Sequence, residues 1–183
     1  MSCFFYKTQC YWNSFYAKGI VKLGTVIQMN VPVWTIGNKG SVYLHGEMYG
    51  YWDAPIWGDG RIFLQARERK SKIEIEANAT FFNNISIVAR CSIKIGDAFL
   101  WGDGVKIVDT DFHEVDPLNR HISAGKCAAV KIGNNVWLGS GDIVLKGVRI
   151  EDHSVVATGS IVTKDIPSRV IAGGVPAKVI RSI

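Results

Sequence analysis

No stretch of this 183-residue chain approaches the run of about eighteen apolar residues that a membrane-spanning helix requires. Its first residues, "MSCFFYKTQCYWNSFY", lack the charged start and continuous apolar centre of a secretory signal. Cysteine is scarce: Cys3, Cys10, Cys91 and Cys127 have neither CxxC spacing nor an evident pairing, and they read as reduced thiols of a cytoplasmic protein. Net charge is only +5. That suits an anionic ligand such as a phosphorylated cofactor, and it falls short of the gathered basic surface that nucleic acid requires. The length supports one domain with a substantial core.

Helical periodicity is missing as well. From Ile132 the chain keeps a period of six, with Ile132, Leu138, Val144, Ile150, Val156 and Val162 leading successive hexads. Val136, Asp142, Val148, Ser154, Ser160 and Ile166 fill the fifth positions. Six residues at about 100° each advance about 240°, so on a helix successive aliphatics would point to different faces. Short strands joined by tight corners use the same pattern well, each hexad aiming one apolar side chain at a common interior. Gly133, Gly139, Gly147 and Gly159 supply corners. A fixed period over many units specifies a solenoid, and a period of six specifies an all-β parallel β-helix.

Ile75, Phe81, Ile87 and Ile93 show the period earlier, followed by a two-residue phase shift to Ile95, Trp101 and Ile107. The organisation expected is an irregular cap and first coils over residues 1–40, with aromatic Phe4 to Tyr16 closing the open end, then β-helix coils over 41–108. A polar excursion over 109–131 follows, then regular hexads over 132–167 and a tail over 168–183. The excursion, "VDTDFHEVDPLNRHISAGKC", interrupts an otherwise continuous coil. Irregular loops on rigid scaffolds are where function is commonly placed. The charged run "RIFLQARERKSK" (Arg61 to Lys72) reads as a solvated face. The alternative is an electrostatic surface for an anionic lipid-linked or polymeric acceptor, with peripheral membrane contact.

The run "VKIGNNVWLGSGDIVLKGVRIEDHSVVATGSIVTKDIPSRVIAGGVPAKVI", together with "VDTDFH", "IKIGD" and "FFNN", resembles the hexapeptide-repeat acetyltransferases. The likeness is greatest to bacterial sugar O-acetyltransferases of surface polysaccharides and to galactoside and maltose acetyltransferases. It implies a left-handed coil, a homotrimer with active sites between subunits, acetyl-coenzyme A as donor and a sugar or glycan acceptor. It implies no metal.

By this resemblance His113 is the general base, and an imidazole has the pKa that role needs. Asp109 or Asp111 is placed to hold the ring's other nitrogen, as is a backbone carbonyl; in an extended segment Asp111 and His113 share a face. Asn83 and Asn84 resemble the family's asparagine facing the histidine across the subunit boundary. They also suit a coil corner. Gly139 and Ser140 fall where the family places its oxyanion amide. Trp137, in an outward hexad position, is expected beside the pantetheine or the sugar. Thr158, Gly159, Thr163 and Lys164 are expected along the coenzyme, with Pro176 on the adenine and Lys178 and Arg181 near phosphates. His45, His121 and His153 read as surface residues. The competing readings are N-acetyl transfer to an amino sugar, a zinc lyase needing three converging histidines, and a non-catalytic scaffold.

Overall fold

The computed structural model describes residues 20–23, 26–29, 33–35, 39–46, 48–50 and 60–183. The cap expected at Phe4 to Tyr16 lies outside the described residues.

Because a six-residue unit accommodates one short strand and one corner, the chain turns after every hexad, and three turns return it to the same side. The described strands accordingly fall into three sheets visited in strict rotation. The first face stacks Ile20–Leu23, Ser41–Leu44, Lys72–Ile75, Ser92–Ile95, Val130–Ile132 and Arg149–Ile150. The second stacks Val26–Met29, Met48–Gly50, Ala79–Phe81, Leu100–Trp101, Trp137–Leu138, Val155–Val156, Val170–Gly174 and Ala177–Ser182. The third stacks Val33–Trp34, Ile62–Ala66, Ser86–Ala89, Lys106–Val108, Ile143–Val144 and Ile161–Val162. All pairings are parallel except the last one on the second face, where Val170–Gly174 folds back against Ala177–Ser182.

Two side chains per hexad point inward, where one was expected. The hexad-leading aliphatics from Ile132 to Val162 are at most 4% exposed, and the fifth-position residues from Val136 to Ile166 are at most 2% exposed. The fifth residue of one hexad and the first of the next are two apart, so they share one face of a strand. Small residues at several fifth positions leave room near the axis for the aliphatics. Lower in the coil the interior is aromatic: Phe81 stacks on Trp101 at 5.3 Å, and Phe99 meets Trp101 edge-on at 4.5 Å. Such pairs add about 1 kcal/mol to the burial of their area.

The phase shift has a local cause. Lys131 pairs with Arg149, an offset of 18 residues, whereas Lys72 pairs with Ser92, an offset of 20. The two additional residues fall in the corner at Arg90 and Cys91, between Ser86–Ala89 and Ser92–Ile95. Across the polar excursion the offset becomes 37, Ile93 pairing with Val130. The regular coil has resumed by Val130, the first residue of Val130–Ile132.

Candidate active site

Most of the residues singled out in sequence divide between two corners that flank the third face. One corner, between the third and first faces, extrudes the loop that carries His113. The other, between the second and third faces, holds Asn83, Asn84, Gly139, Ser140, Thr158 and Gly159 on successive coils.

His113 is exposed, and its Nδ1 lies 3.0 Å from the carbonyl oxygen of Arg120. A carbonyl can only accept, so Nδ1 carries a proton, and in the neutral ring the lone pair is then on Nε2. Neither aspartate orients the ring. The carboxylate of Asp109 is buried, and it accepts the backbone N–H groups of Arg90 and Cys91, both at 2.7 Å. Burial raises the Asp109 pKa, and those two hydrogen bonds oppose the shift. Asp111 instead pairs with Lys146, Oδ1 to Nζ at 2.6 Å. The reason is a turn: Phe112 has φ 64°, so Asp111 and His113 do not share the face they would share in an extended strand.

The loop closes on a two-limbed stem. Thr110 and Cys127 form an antiparallel bridge, the Asp111 N–H donates to Lys126 at 3.0 Å, and the Ala128 N–H donates to Asp109 at 2.9 Å. Cys91 and Cys127 are joined in a disulfide, which corrects the expectation of reduced thiols for these two. The parallel register brings the two cysteines to adjacent coils. The cysteines are 36 residues apart, within one residue of the 37-residue offset that stacks Val130 on Ile93. Val115, Leu118 and Ile122, at the loop's end, are between 73% and 88% exposed.

At the second corner Asn83 is buried, its N–H donating to Asp103 Oδ1 at 2.8 Å and its side-chain amide reaching the same oxygen at 3.3 Å. Asn84 adopts φ 59° and accepts the Gly60 N–H at 3.2 Å. Both asparagines therefore build the corner, and Asn84 is the more exposed of the two. The column continues upward: the Asp103 N–H donates to Ser140 Oγ, the Gly141 N–H to Asp103, and the Gly159 N–H to Ser140. The Gly139 N–H is spent on Val156 at 2.9 Å, whereas the Ser140 N–H takes no hydrogen bond among the described residues. Trp137, 51% exposed, stands in register between Leu100 and Val155 on the adjoining second face.

The residues expected along a coenzyme are not contiguous in one chain. Thr158 and Gly159 are exposed at the second corner, while Thr163 and Lys164 are exposed at the loop corner, beyond Ile161–Val162. Pro176, Lys178 and Arg181 belong to the antiparallel hairpin that extends the second face. The charged run is also divided. Ile62–Ala66 is a strand, the Arg67 guanidinium lies 5.3 Å from the Phe112 ring, and Lys72 pairs with Glu74 at 2.9 Å.

Sequence reasoning missed Lys146, Arg90 and the Cys91–Cys127 bridge. Their signal was present in the phase shift and in the cysteine spacing, and both become readable once the coil offsets are known. The four histidines do not converge. His45 meets Glu74 at 3.3 Å, His153 meets Asn135 at 3.2 Å, and His121 is exposed on the loop. Among the described residues no three His, Cys, Asp or Glu side chains form a metal-binding group.

No family model matches the chain. It is 46% identical over 100 residues to a galactoside O-acetyltransferase of Lactococcus lactis, covering 55% of this chain and 48% of that one. A galactoside O-acetyltransferase of Escherichia coli is 42% identical over 113 residues, covering 62% and 55%. The chain thus spans about half the length of the curated relatives it matches. Among solved structures, a galactoside acetyltransferase in complex with coenzyme A superposes with a TM-score of 0.58 at 36% identity, over 74% of this chain and 64% of that one. A maltose O-acetyltransferase from Clostridium difficile superposes with a TM-score of 0.52 at 28% identity, over 90% and 69%. The chain is a relative of the hexapeptide-repeat acetyltransferases, and its three-faced coil is their left-handed parallel β-helix.

Proposed function

We propose that this protein transfers the acetyl group of acetyl-coenzyme A to a hydroxyl of a sugar, in a homotrimer that modifies a surface glycan. The observation that carries the reading is the division of the site. A histidine with a free Nε2 projects from one edge of the third face, and a column of turn residues, of which Ser140, Thr158 and Gly159 are exposed, lines the other edge. One chain does not bring the two together, whereas a ring of three chains would set each loop against its neighbour's column. The outward residues of the third face suit such packing, since Ile143 and Ile161 are stacked in register and half-buried. The relatives' names, galactoside and maltose O-acetyltransferase, support a sugar acceptor.

In this reading Nε2 of His113 takes the proton of the attacking hydroxyl as its oxygen bonds to the thioester carbon. The Arg120 carbonyl stabilises the resulting imidazolium through Nδ1–H. The Ser140 N–H is free to meet the developing oxyanion, where one donor is worth about 3 kcal/mol. Collapse breaks the carbon–sulfur bond, and the imidazolium returns its proton to the departing thiolate. Trp137 and Leu100 offer an apolar surface to a pyranose or to the pantetheine arm. Thr158 and Gly159 of one chain and Lys164 of its neighbour form the two walls of the coenzyme cleft.

Calorimetric titration with coenzyme A is the direct test, because it needs no knowledge of the acceptor. Saturation near one site per chain is expected. His113→Ala should bind coenzyme A as the parent does while transferring acetyl groups to galactosides about 10²- to 10⁴-fold more slowly. Absence of coenzyme A binding would overturn the proposal.

A further inference from the structure

The coil beneath the loop carries a feature that regular hexads lack, the two additional corner residues at Arg90 and Cys91. They place a guanidinium under both limbs of the loop stem. Arg90 Nη1 lies 3.2 Å from Thr110 Oγ1 on the outgoing limb. On the returning limb it lies 2.6 Å from the Ala124 carbonyl and 3.1 Å from that of Gly125. The Arg90 side chain is 19% exposed, and its Nε stands 3.6 Å from a Glu68 carboxylate oxygen. Gly125 in turn touches the histidine's own backbone: a Cβ at this position would fall 2.2 Å from the His113 carbonyl oxygen. The path from the guanidinium to the backbone that carries the imidazole is therefore two contacts long, Arg90 to the Gly125 carbonyl and Gly125 to the His113 carbonyl.

We propose that Arg90 is a positioning residue for His113, holding the two loop limbs together so that the imidazole keeps one orientation and one tautomer. The inference rests on the reading of His113 as the base. All three oxygens surround the one nitrogen Nη1, whose two N–H groups are shared between the limbs, so a single charged end ties both together. The ring's partner, the Arg120 carbonyl, belongs to the loop as well, so loosening the stem would loosen the hydrogen bond that fixes Nδ1–H.

The test uses the full chain and reads the imidazole directly. Nitrogen NMR of the parent should show His113 as the single Nδ1–H tautomer, the signal being assigned by its loss in His113→Ala. In Arg90→Gln the same signal should average between tautomers, and acetyl transfer to a galactoside should fall by about 10²-fold, the scale of a misplaced reacting group. Coenzyme A affinity should stay within about twofold. Arg90→Lys should recover part of the rate, and it carries the test if the glutamine variant does not fold. An unchanged tautomer in the folded variant overturns the inference, as does a rate loss that disappears well below the variant's unfolding temperature. Full transfer by His113→Ala would remove the base reading itself. An inactive His113→Ala beside a fully active Arg90→Gln would remove only the role of Arg90.

Discussion

Cys91 and Cys127 are joined across the foot of the loop, their Cα atoms 6.1 Å apart, on neighbouring coils. The bond closes a segment of 36 residues that contains a complete coil turn and the whole loop, so it constrains the unfolded chain as well as the folded one. In the chain-entropy account a closure of that length stabilises by about 4 kcal/mol. Cys127→Ser should therefore unfold at a temperature lower by roughly 10 °C. Alkylation of the native protein without reductant should leave Cys91 and Cys127 unlabelled, and mass spectrometry of the peptides reads this directly. Full labelling of both would show that the bond does not form in solution.

If each site is built from two chains, two inactive variants should complement each other. His113→Ala lacks the loop histidine, and Asn84→Ala alters the opposite corner. Neither is expected to transfer acetyl groups well alone. Co-expressed, they assort into trimers in which one junction pairs an intact histidine with an intact asparagine, and about a quarter of parental activity should return. No recovery from mixed trimers of verified composition would mean that the site lies within one chain.

Gly125 makes a sharper demand on the loop than its polar sequence reveals. Its φ is +66°, and the space where a Cβ would stand is filled by the His113 carbonyl. Both features oppose a side chain, the first by strain of about 1 kcal/mol and the second by displacing the histidine. Gly125→Ala should thus lower kcat far more than it lowers the unfolding temperature. Equal activity in this variant would show that the loop tolerates movement of His113.

The fold was legible because its cause is local. A six-residue unit with aliphatics such as Leu138 and Val156 at its head permits few other arrangements, and the burial of those residues follows the period. The site was legible only in part. His113 stood out by its motif, yet its partner depended on a single backbone torsion at Phe112, which turned Asp111 toward Lys146. No spacing rule anticipates that torsion. The cysteines illustrate the opposite case, since their separation of 36 falls within one residue of the coil offset across the loop and would have suggested the pairing had the offset been known. Thr163 and Thr158, five residues apart in sequence, face different corners because each hexad turns the chain to a new side.

Asp142 offers a prediction about stability and pH. It fills a fifth hexad position inside the coil, directly after the Gly139–Ser140–Gly141 turn, and is fully buried. Its Oδ1 accepts the Ser160 N–H at 2.8 Å, while Oδ2 has no hydrogen-bond partner among the described residues. Burial raises its pKa from 3.8 to about 7, the Ser160 N–H and neighbouring backbone donors opposing the shift. An acid whose pKa is higher in the folded state binds its proton more tightly there. Its contribution to stability is complete below the unfolded value near pH 4 and declines as pH rises toward 7. Asp109 shifts in the same direction, so it adds to the slope, whereas Glu74, held below its usual range by Lys72, acts only at more acid pH. The parent should therefore unfold at a lower temperature at pH 8 than at pH 5. Asp142→Asn keeps the Ser160 contact and removes the titration, so it should flatten much of that slope and exceed the parent's stability at pH 8. Thermal unfolding of both proteins across pH 5 to 8 checks this, and parallel curves would mean that Asp142 stays ionised in the folded chain.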